Sequence, residues 1–309
     1  VNLVYSGATV GWTPASDIVS ALEPVAPPVQ KALFGYGSGS SSLTNLVNSS
    51  GVIASDTTGV GTGRSGLAAA SYGGDKAIFG YGTTGSNVSL TNLVNNSGVV
   101  AADVTGVGTA RSNLEAAGYG GDKAIFGYGN SGSASSLTNL VSNSGVVAAD
   151  VTGVGTARYT LGAADYGTDK AIFAFGTTGS VTNLSNLVSN SGIVASDTAG
   201  VGTARNYLAA ASYGGDKAIF GYGYAGGNVS MTNLVNNLGV IGSDVSGVGT
   251  ARNNLSATGY GGDKAIFSFA GSSNSSTNLV NSSGVVASDI TGVGTAREGA
   301  SAAGYSFSA

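Results

Sequence analysis

Several residue types with reactive side chains are missing from this chain. It contains no cysteine and no histidine, and only 9% of its 309 residues are charged. These absences exclude disulfide bonds, thiolate nucleophiles and imidazole acid–base catalysis. No apolar run is long enough to span a bilayer and no signal-peptide pattern is present, so the sequence predicts no membrane insertion.

Glycine and apolar residues are abundant instead. The chain has 53 glycines and is 42% hydrophobic. Disordered segments are poor in hydrophobic and aromatic residues, so this composition argues against disorder. It is typical of many short strands joined by tight turns.

One unit recurs six times along the chain. The string Asp-Lys-Ala-Ile-Phe-Gly-Tyr-Gly begins at Asp75, Asp122 and Asp216, with variants from Asp169, Asp263 and Gln30. A second string, Gly-Val-Gly-Thr-(Ala/Gly)-Arg, ends at six arginines that lie 47, 47, 47, 47 and 45 residues apart. Repeats of this length are typical of propellers and solenoids.

Each unit is predicted to form four short antiparallel strands. In the unit 112–158 we expect strands at 112–119, 123–128, 137–143 and 146–151, separated by glycine-containing turns and one polar loop. Four such strands are the size of a propeller blade. Phenylalanine and tyrosine at fixed positions account for 18 of the 24 aromatic residues, and this regularity predicts aromatic packing between neighbouring units.

The two ends of the array carry complementary halves of a unit. The array begins at its lysine string, at Lys31, whereas no lysine string follows the segment 298–307. A ring combines such halves into one shared unit, and an open rod has no use for them. The sequence therefore predicts an all-β, six-bladed β-propeller of four-stranded antiparallel blades, closed by the C-terminal strand joining the N-terminal blade. A β-solenoid is the alternative.

The domain boundaries follow from the repeat. We expect residues 1–30 to form an N-terminal attachment arm with a Pro-rich linker and a short helix at 16–22, and residues 31–309 to form the propeller. Folding of this arm back onto the propeller is the alternative. The first blade would combine 31–57 with 298–307, and the others would span about 65–104, 112–151, 159–198, 206–245 and 253–290.

The stretch from Arg111 to Gly129 resembles the first two strands of a kelch-type blade. It reads Arg-x-x-Leu-x-Ala-Ala-x-Tyr-Gly-Gly-Asp-Lys-Ala-Ile-Phe-Gly-Tyr-Gly. It departs from the kelch pattern because Gly-Tyr-Gly replaces the usual Gly-Gly and the fourth strand lacks a tryptophan. The continuation 91–103 is similar to kelch-like arrays in structural and tail-fibre proteins of marine bacteriophages, cyanophages among them.

This resemblance implies a structural or adhesive component of a phage virion, such as a tail, fibre or surface decoration. The protein would then lie on the extracellular particle and contact other virion proteins through residues 1–30. A secreted or cell-surface location is the alternative. We expect no enzyme, cofactor or metal, because nucleophile–base pairs lack their usual residues and the three glutamates are not repeated. No nucleic-acid partner is expected either, since 12 cations and 11 aspartates leave the repeat nearly neutral.

One predicted rim carries most of the variation between units. The polar loops after the second strands differ from unit to unit and would share this rim with the connections between blades, an arrangement typical of a binding scaffold. Drift in exposed loops is the alternative. The candidate ligand-binding residues are Asn87, Asn130, Thr182, Tyr224, Asn228 and Asn274. Carbohydrate binding to host or cell-surface glycans, by aromatic stacking and Asn or Ser hydrogen bonds, is the alternative function.

Six repeated arginines are expected to surround the mouth of the central channel. They are Arg64, Arg111, Arg158, Arg205, Arg252 and Arg297. Guanidinium groups suit carboxylate or sulfate ligands. Their identical repetition favours a structural role instead, in which each arginine pairs with the repeated aspartate eight residues earlier, for example Arg111 with Asp103.

Overall fold

The computed structural model describes residues 3–5, 12–14, 31–271 and 274–306. Within these ranges the protein is all-β and contains no helix. Near the N-terminus, β1 (Leu3–Tyr5) and β2 (Trp12–Pro14) pair in a two-stranded antiparallel sheet. The rest of the expected attachment arm, including the helix predicted at 16–22, lies outside the described residues.

The remaining eighteen strands form six separate three-stranded antiparallel sheets in the described part of the chain. The strands are β3 (Lys31–Gly37), β4 (Ser41–Val47), β5 (Ala68–Tyr72), β6 (Lys76–Gly80), β7 (Thr91–Val94), β8 (Glu115–Tyr119), β9 (Lys123–Gly127), β10 (Thr138–Val141), β11 (Gly162–Tyr166), β12 (Lys170–Ala174), β13 (Ser185–Val188), β14 (Ala209–Tyr213), β15 (Lys217–Gly221), β16 (Thr232–Val235), β17 (Ser256–Tyr260), β18 (Lys264–Ser268), β19 (Asn278–Val280) and β20 (Ser301–Tyr305). Unit 1 has the strand order β20-β3-β4, and units 2 to 6 are β5-β6-β7, β8-β9-β10, β11-β12-β13, β14-β15-β16 and β17-β18-β19.

The prediction of four strands per blade is wrong, because the fourth segment does not form a continuous strand. In unit 2 it touches β7 only through isolated bridges, from Val100 to Val94 and from Val104 to Thr91. Four residue steps on this segment therefore face three on β7, which is the signature of a bulge. The bulge interrupts the hydrogen-bond ladder and leaves each sheet with three strands.

The C-terminal strand completes the N-terminal sheet, as the complementary halves predict. β20 pairs with β3, with Ala303 opposite Leu33. The innermost strands also contact one another in a cycle that runs through β20, β5, β8, β11, β14 and β17 and returns to β20. This arrangement is consistent with a six-bladed propeller.

A cycle of backbone hydrogen bonds joins the six units just before the inner strands begin. We call its residues the inner ring: Gly66, Asn113, Thr160, Tyr207, Asn254 and Gly299. Each N–H donates to the ring carbonyl of the preceding unit, over 2.9 Å from Gly66 to Gly299, 2.7–2.9 Å at the next four steps and 3.5 Å from Gly299 to Asn254. All six residues have positive φ, between 52° and 60°.

The hydrophobic core lies between neighbouring units. The middle strands are buried on both faces, as in Ala124, Ile125 and Phe126 of β9, all at 0% exposure. The Phe126 ring of unit 3 packs edge-on against Tyr81 of unit 2, with centroids 5.1 Å apart. Equivalent aromatic pairs recur at the other junctions, so each unit completes the core of the next.

Candidate functional site

Each repeated arginine is buried where one unit meets the next. Arg111, in the connection from unit 2 to unit 3, is 0% exposed. Its Nε donates to the Tyr128 carbonyl at 2.8 Å, its Nη2 to Asn139 Oδ1 at 2.7 Å and its Nη1 to the Thr109 carbonyl at 3.2 Å. Its guanidinium carbon lies 4.5 Å from the centroid of the Tyr81 ring in the preceding unit. The cation therefore binds both units at once.

The bulged fourth segment of unit 3 supplies the counter-ion of this arginine. Asp150 Oδ1 lies 3.8 Å from Arg111 Nη1 and accepts a hydrogen bond from Asn139 Nδ2 at 2.9 Å. Its Oδ2 accepts from the Thr109 hydroxyl at 2.7 Å and from the Thr109 N–H at 2.9 Å. We call these four groups, Arg111, Asn139, Asp150 and Thr109, the junction network.

The pairing predicted from sequence is wrong. Arg111 does not pair with Asp103, the aspartate eight residues earlier, because Asp103 is the partner of Arg64. The arginine of each connection packs into the unit that follows it. Its counter-ion is therefore the aspartate in the bulged fourth segment of that following unit. The same shift holds at the other junctions.

The network keeps both charges at neutral pH. Burial alone would raise the pKa of Asp150, but hydrogen bonds from Thr109 and Asn139 and the charge of Arg111 outweigh it and lower that pKa. Burial lowers the pKa of Arg205 to about 10, so this guanidinium also remains charged at pH 7.

The last junction network joins the two ends of the array. Arg297 Nε donates to the Tyr36 carbonyl at 2.6 Å and its Nη2 to Asn45 Oδ1 at 2.7 Å. The Thr295 hydroxyl donates to Asp56 Oδ2 at 2.6 Å. Residues near the C-terminus therefore complete the network of the N-terminal unit.

The burial of these six arginines supports the structural reading of the expected channel-mouth ring. They are 0–3% exposed, and protein carbonyls and asparagines occupy most of their donors. Arg252 is the exception in the described chain, because its buried Nε has no hydrogen-bond partner there. A dissolved anion has no access to guanidinium groups placed in this way.

Sequence reasoning missed the asparagine at the centre of each network. These residues are Asn45, Asn92, Asn139, Asn186, Asn233 and Asn278, all at 0% exposure. Their signal is present in the sequence: a polar residue recurs in all six copies of an otherwise apolar strand. A buried amide needs partners for its donors and its acceptor, and the arginine and aspartate supply them.

A central cavity of about 320 Å³ lies among the inner strands. Small residues line most of it, but Glu115 of β8 and Asp165 of β11 also face it. Protein encloses the cavity on its sides, and this burial raises the pKa of Glu115 to about 8 and also raises the pKa of Asp165. Both side chains reach the open space of the cavity, because Glu115 is only half-buried and Asp165 is exposed there.

The loops that carry the candidate rim residues lie beside the connections between units, as predicted. Ser112 and Asn130, for example, exchange two backbone hydrogen bonds of 3.0 and 2.7 Å. Several rim side chains are used within the loops themselves. Asn87 Nδ2 donates to the Asn130 carbonyl, Asn130 Oδ1 accepts from the Gly132 N–H, Thr182 Oγ1 accepts from the Leu184 N–H, and Asn274 Oδ1 accepts from the Ser276 N–H.

Two of the candidate rim residues remain available to a ligand. Tyr224 is 41% exposed, and Asn228 is also exposed. Their backbones form a bridge across the loop between β15 and β16. The structure thus places these two side chains together and leaves them facing solvent.

Neither a membrane span nor a metal site is found in the described ranges. No helix there is long and apolar enough to cross a bilayer, and no three Asp or Glu side chains gather there as a group able to hold a metal ion.

Comparison with known proteins gave no match: no protein-family model fits the chain, and no curated protein is similar to it.

Proposed function

We propose that this protein is a non-enzymatic adhesion or structural component of a phage virion. Its scaffold would be a closed six-bladed propeller, in which the inner ring and the junction networks hold the units in fixed positions. The observation that supports this best is the contrast between a uniform frame and one varied rim. A rigid frame with chemical differences confined to one face suits a protein that presents a surface rather than one that performs chemistry.

The virion location rests on the resemblance of the stretch 91–103 to kelch-like arrays of marine phages. Residues 1–30 would attach the propeller to other virion proteins, and the varied rim would then face outward. This orientation separates attachment from recognition, because the arm and the rim are different parts of the chain.

Immunogold electron microscopy of native particles tests this proposal. An antibody against the full chain is expected to label intact virions at a defined position, such as the tail, the fibres or the capsid surface. Labelling of cell debris without labelling of virions would contradict it. An antibody against an unrelated cytosolic host protein serves as the control for non-specific binding.

One observation favours carbohydrate binding as the second candidate function. Tyr224 combines an exposed aromatic face with the exposed amide of Asn228 on the same loop. Aromatic faces and amides are the groups that recognise sugars through stacking and hydrogen bonds.

A further inference from the structure

The aromatic residues that do not belong to the repeat are concentrated in one place. Between residues 31 and 306, the aromatic residues outside the repeated positions are Tyr159, Tyr207 and Tyr224. Tyr159 lies in the connection from unit 3 to unit 4, and Tyr207 lies in the next connection. Tyr224 lies in the loop that follows β15 of unit 5. The repeat requires none of them.

Backbone hydrogen bonds bring these three tyrosines into one sector of the rim. The Tyr207 N–H donates to the carbonyl of Thr160, the neighbour of Tyr159, at 2.9 Å. Asn206 and Tyr224 exchange two backbone hydrogen bonds of 3.1 and 2.8 Å. Burial raises the pKa of Tyr207, and the ionised forms of Tyr159 and Glu298 raise it further.

Polar groups able to bind hydroxyls surround the tyrosines. The side-chain oxygen of Asn206 is buried and has no hydrogen-bond partner among the described residues. Buried acceptors are normally satisfied, and because the Asn206 side chain as a whole is only half-buried, its rotation would turn this oxygen towards a bound donor. Asn254 follows in the inner ring, where its N–H donates to the Tyr207 carbonyl at 2.8 Å, and the exposed Asn228 lies across the loop from Tyr224.

The frame does not need large side chains at these positions. In unit 2 the residues at the same repeat positions are Ser65, Gly66 and Thr83. Tyr207 and Thr160 have φ of 52°, a region that bulky and β-branched residues disfavour and that glycine occupies at two other inner-ring positions. The inner ring imposes this φ in every unit, so a tyrosine adds strain at a position where sister units carry glycine or asparagine.

We propose that this sector binds a neutral saccharide of a glycan, with Tyr159, Tyr207 and Tyr224 stacking on the sugar and Asn206 and Asn228 binding its hydroxyls. The Glu298 carboxylate acts electrostatically on Tyr207 and the adjacent arginines are buried, so a neutral sugar fits better than an anionic one. This inference rests on the proposed function, because it names the ligand class of the varied rim.

Sister units supply substitutions that the frame already accepts. In the triple variant Tyr159→Ser, Tyr207→Asn and Tyr224→Asn, each new residue matches an equivalent position, namely Ser112, Asn254 and Asn130. The full chain is applied to a glycan array, and the Kd of the best neutral glycan is then measured by calorimetry. Wild-type protein is expected to retain a set of neutral glycans, and the triple variant to bind them roughly tenfold or more weakly.

A variant in unit 2 is the matched control. Ser65→Asn and Thr83→Asn also exchange sister-unit residues and are expected to leave glycan binding unchanged. Retention of anionic glycans alone, or equal binding by the triple variant and wild type, would overturn the saccharide site. If virions carry the protein but the array retains no neutral glycan, the proposed saccharide site is refuted and the proposed virion role stands. If neutral glycans bind through the tyrosines but virions lack the protein, the virion role is wrong.

Discussion

At the residue scale, six buried guanidinium groups affect both the stability of the fold and the way in which neighbouring units pack. A buried charge is costly unless it is paired and hydrogen-bonded. Arg111 meets this condition with a carbonyl, an asparagine, an aspartate and an aromatic face. Because these partners belong to two units, the charge is satisfied only when the units are packed together. The network therefore favours one way of docking the units.

Removal of one network asparagine tests this role. Asn139→Ala leaves Arg111 Nη2 and Asp150 without their amide partner, and we expect it to lower the free energy of unfolding by about 1.5–3 kcal/mol. Chemical denaturation measures the change. Asn143→Ala is the control, because its amide binds Asp122 on the surface at 3.0 Å, and it is expected to change stability by less than about 0.5 kcal/mol. Equal effects of the two variants would contradict a special role for the network.

The cavity carboxylates predict an unusual pH dependence. Burial raises the pKa of Glu115 to about 8, above its value in the unfolded chain, so the unfolded state loses this proton first as pH rises. The stability contributed by the protonated Glu115 is then complete below the unfolded pKa and is lost as pH rises towards 8. Glu115→Gln should remove this loss, so its advantage over wild type should grow between pH 5 and pH 8.

Thermal unfolding at a series of pH values measures that difference. Asp122→Asn is the control: its carboxylate pKa is lowered, mainly by the hydrogen bond from Lys123, so its difference from wild type should stay constant over the same range. A Glu115→Gln difference that is equally flat would show that Glu115 is already ionised at pH 5.

At the element scale, the outer edge of every unit is a bulged segment. Val99 and Val104 of unit 2 are 60% and 49% exposed, and equivalent valines or isoleucines are exposed in the other units. An exposed apolar edge is prone to pair with other chains. The bulge interrupts its ladder, and it also accompanies the turn of Asp103 towards Asn92 and Thr62. The bulge thus makes the outer edge a poor partner for another strand and also places Asp103 in its junction network.

Unit 4 shows how two strands compensate for a local change. A Cβ on Gly80 of β6 would lie 2.6 Å from the Phe126 ring of the next unit. In unit 4 the equivalent residue is Ala174, and its cross-strand partner is Gly162 instead of the alanine found in unit 2. The facing ring, Phe220, lies over Gly162, where a Cβ would be 2.9 Å away. In unit 4 the glycine is therefore on the inner strand and the alanine on the middle strand, which is the reverse of unit 2.

A double variant in unit 2 reproduces this exchange. Gly80→Ala alone should lower the free energy of unfolding by about 1–3 kcal/mol, because the Phe126 ring must shift. The double variant Ala68→Gly and Gly80→Ala should be less destabilised than the sum of the two single variants. Chemical denaturation of all four proteins closes the cycle. Additive losses would mean that Phe126 cannot use the space opened at residue 68.

At the scale of the whole molecule, both ends of the array are needed for one sheet. β20 pairs with β3, and Arg297 binds Tyr36 and Asn45. The inner ring also passes through Gly299. Loss of the C-terminal segment would therefore open the cycle, expose the core of unit 1 and remove the contacts of β20 with β17 and β5.

Deletion of residues 298–309 tests the cyclic arrangement. We expect this variant to lose the single cooperative unfolding transition of the full chain, because β20 and one member of the inner ring are gone. Differential scanning calorimetry and circular dichroism report the transition. A chain that ends at Ser306 is the control and should melt like the full chain. An unchanged transition after the longer deletion would refute the dependence of folding on closure.

Much of this architecture can be predicted from the sequence, because the relevant signals are local and repeated six times. The period of the arginine string gives the number of units, and alternating short apolar runs and glycine turns give the first three strands. The complementary ends predict the pairing of β20 with β3. The loops that bear Asn130 and Tyr224 are correctly predicted to lie beside the connections between units.

Only the tertiary structure decided which groups meet across units. Arg111 pairs with Asp150 rather than Asp103, the fourth strand becomes a bulged edge, and Tyr159, Tyr207 and Tyr224 share one sector although 65 residues separate the first from the last. Local propensity and spacing describe one unit at a time. They do not specify which unit each connection packs against, and that choice determines which residues meet between units.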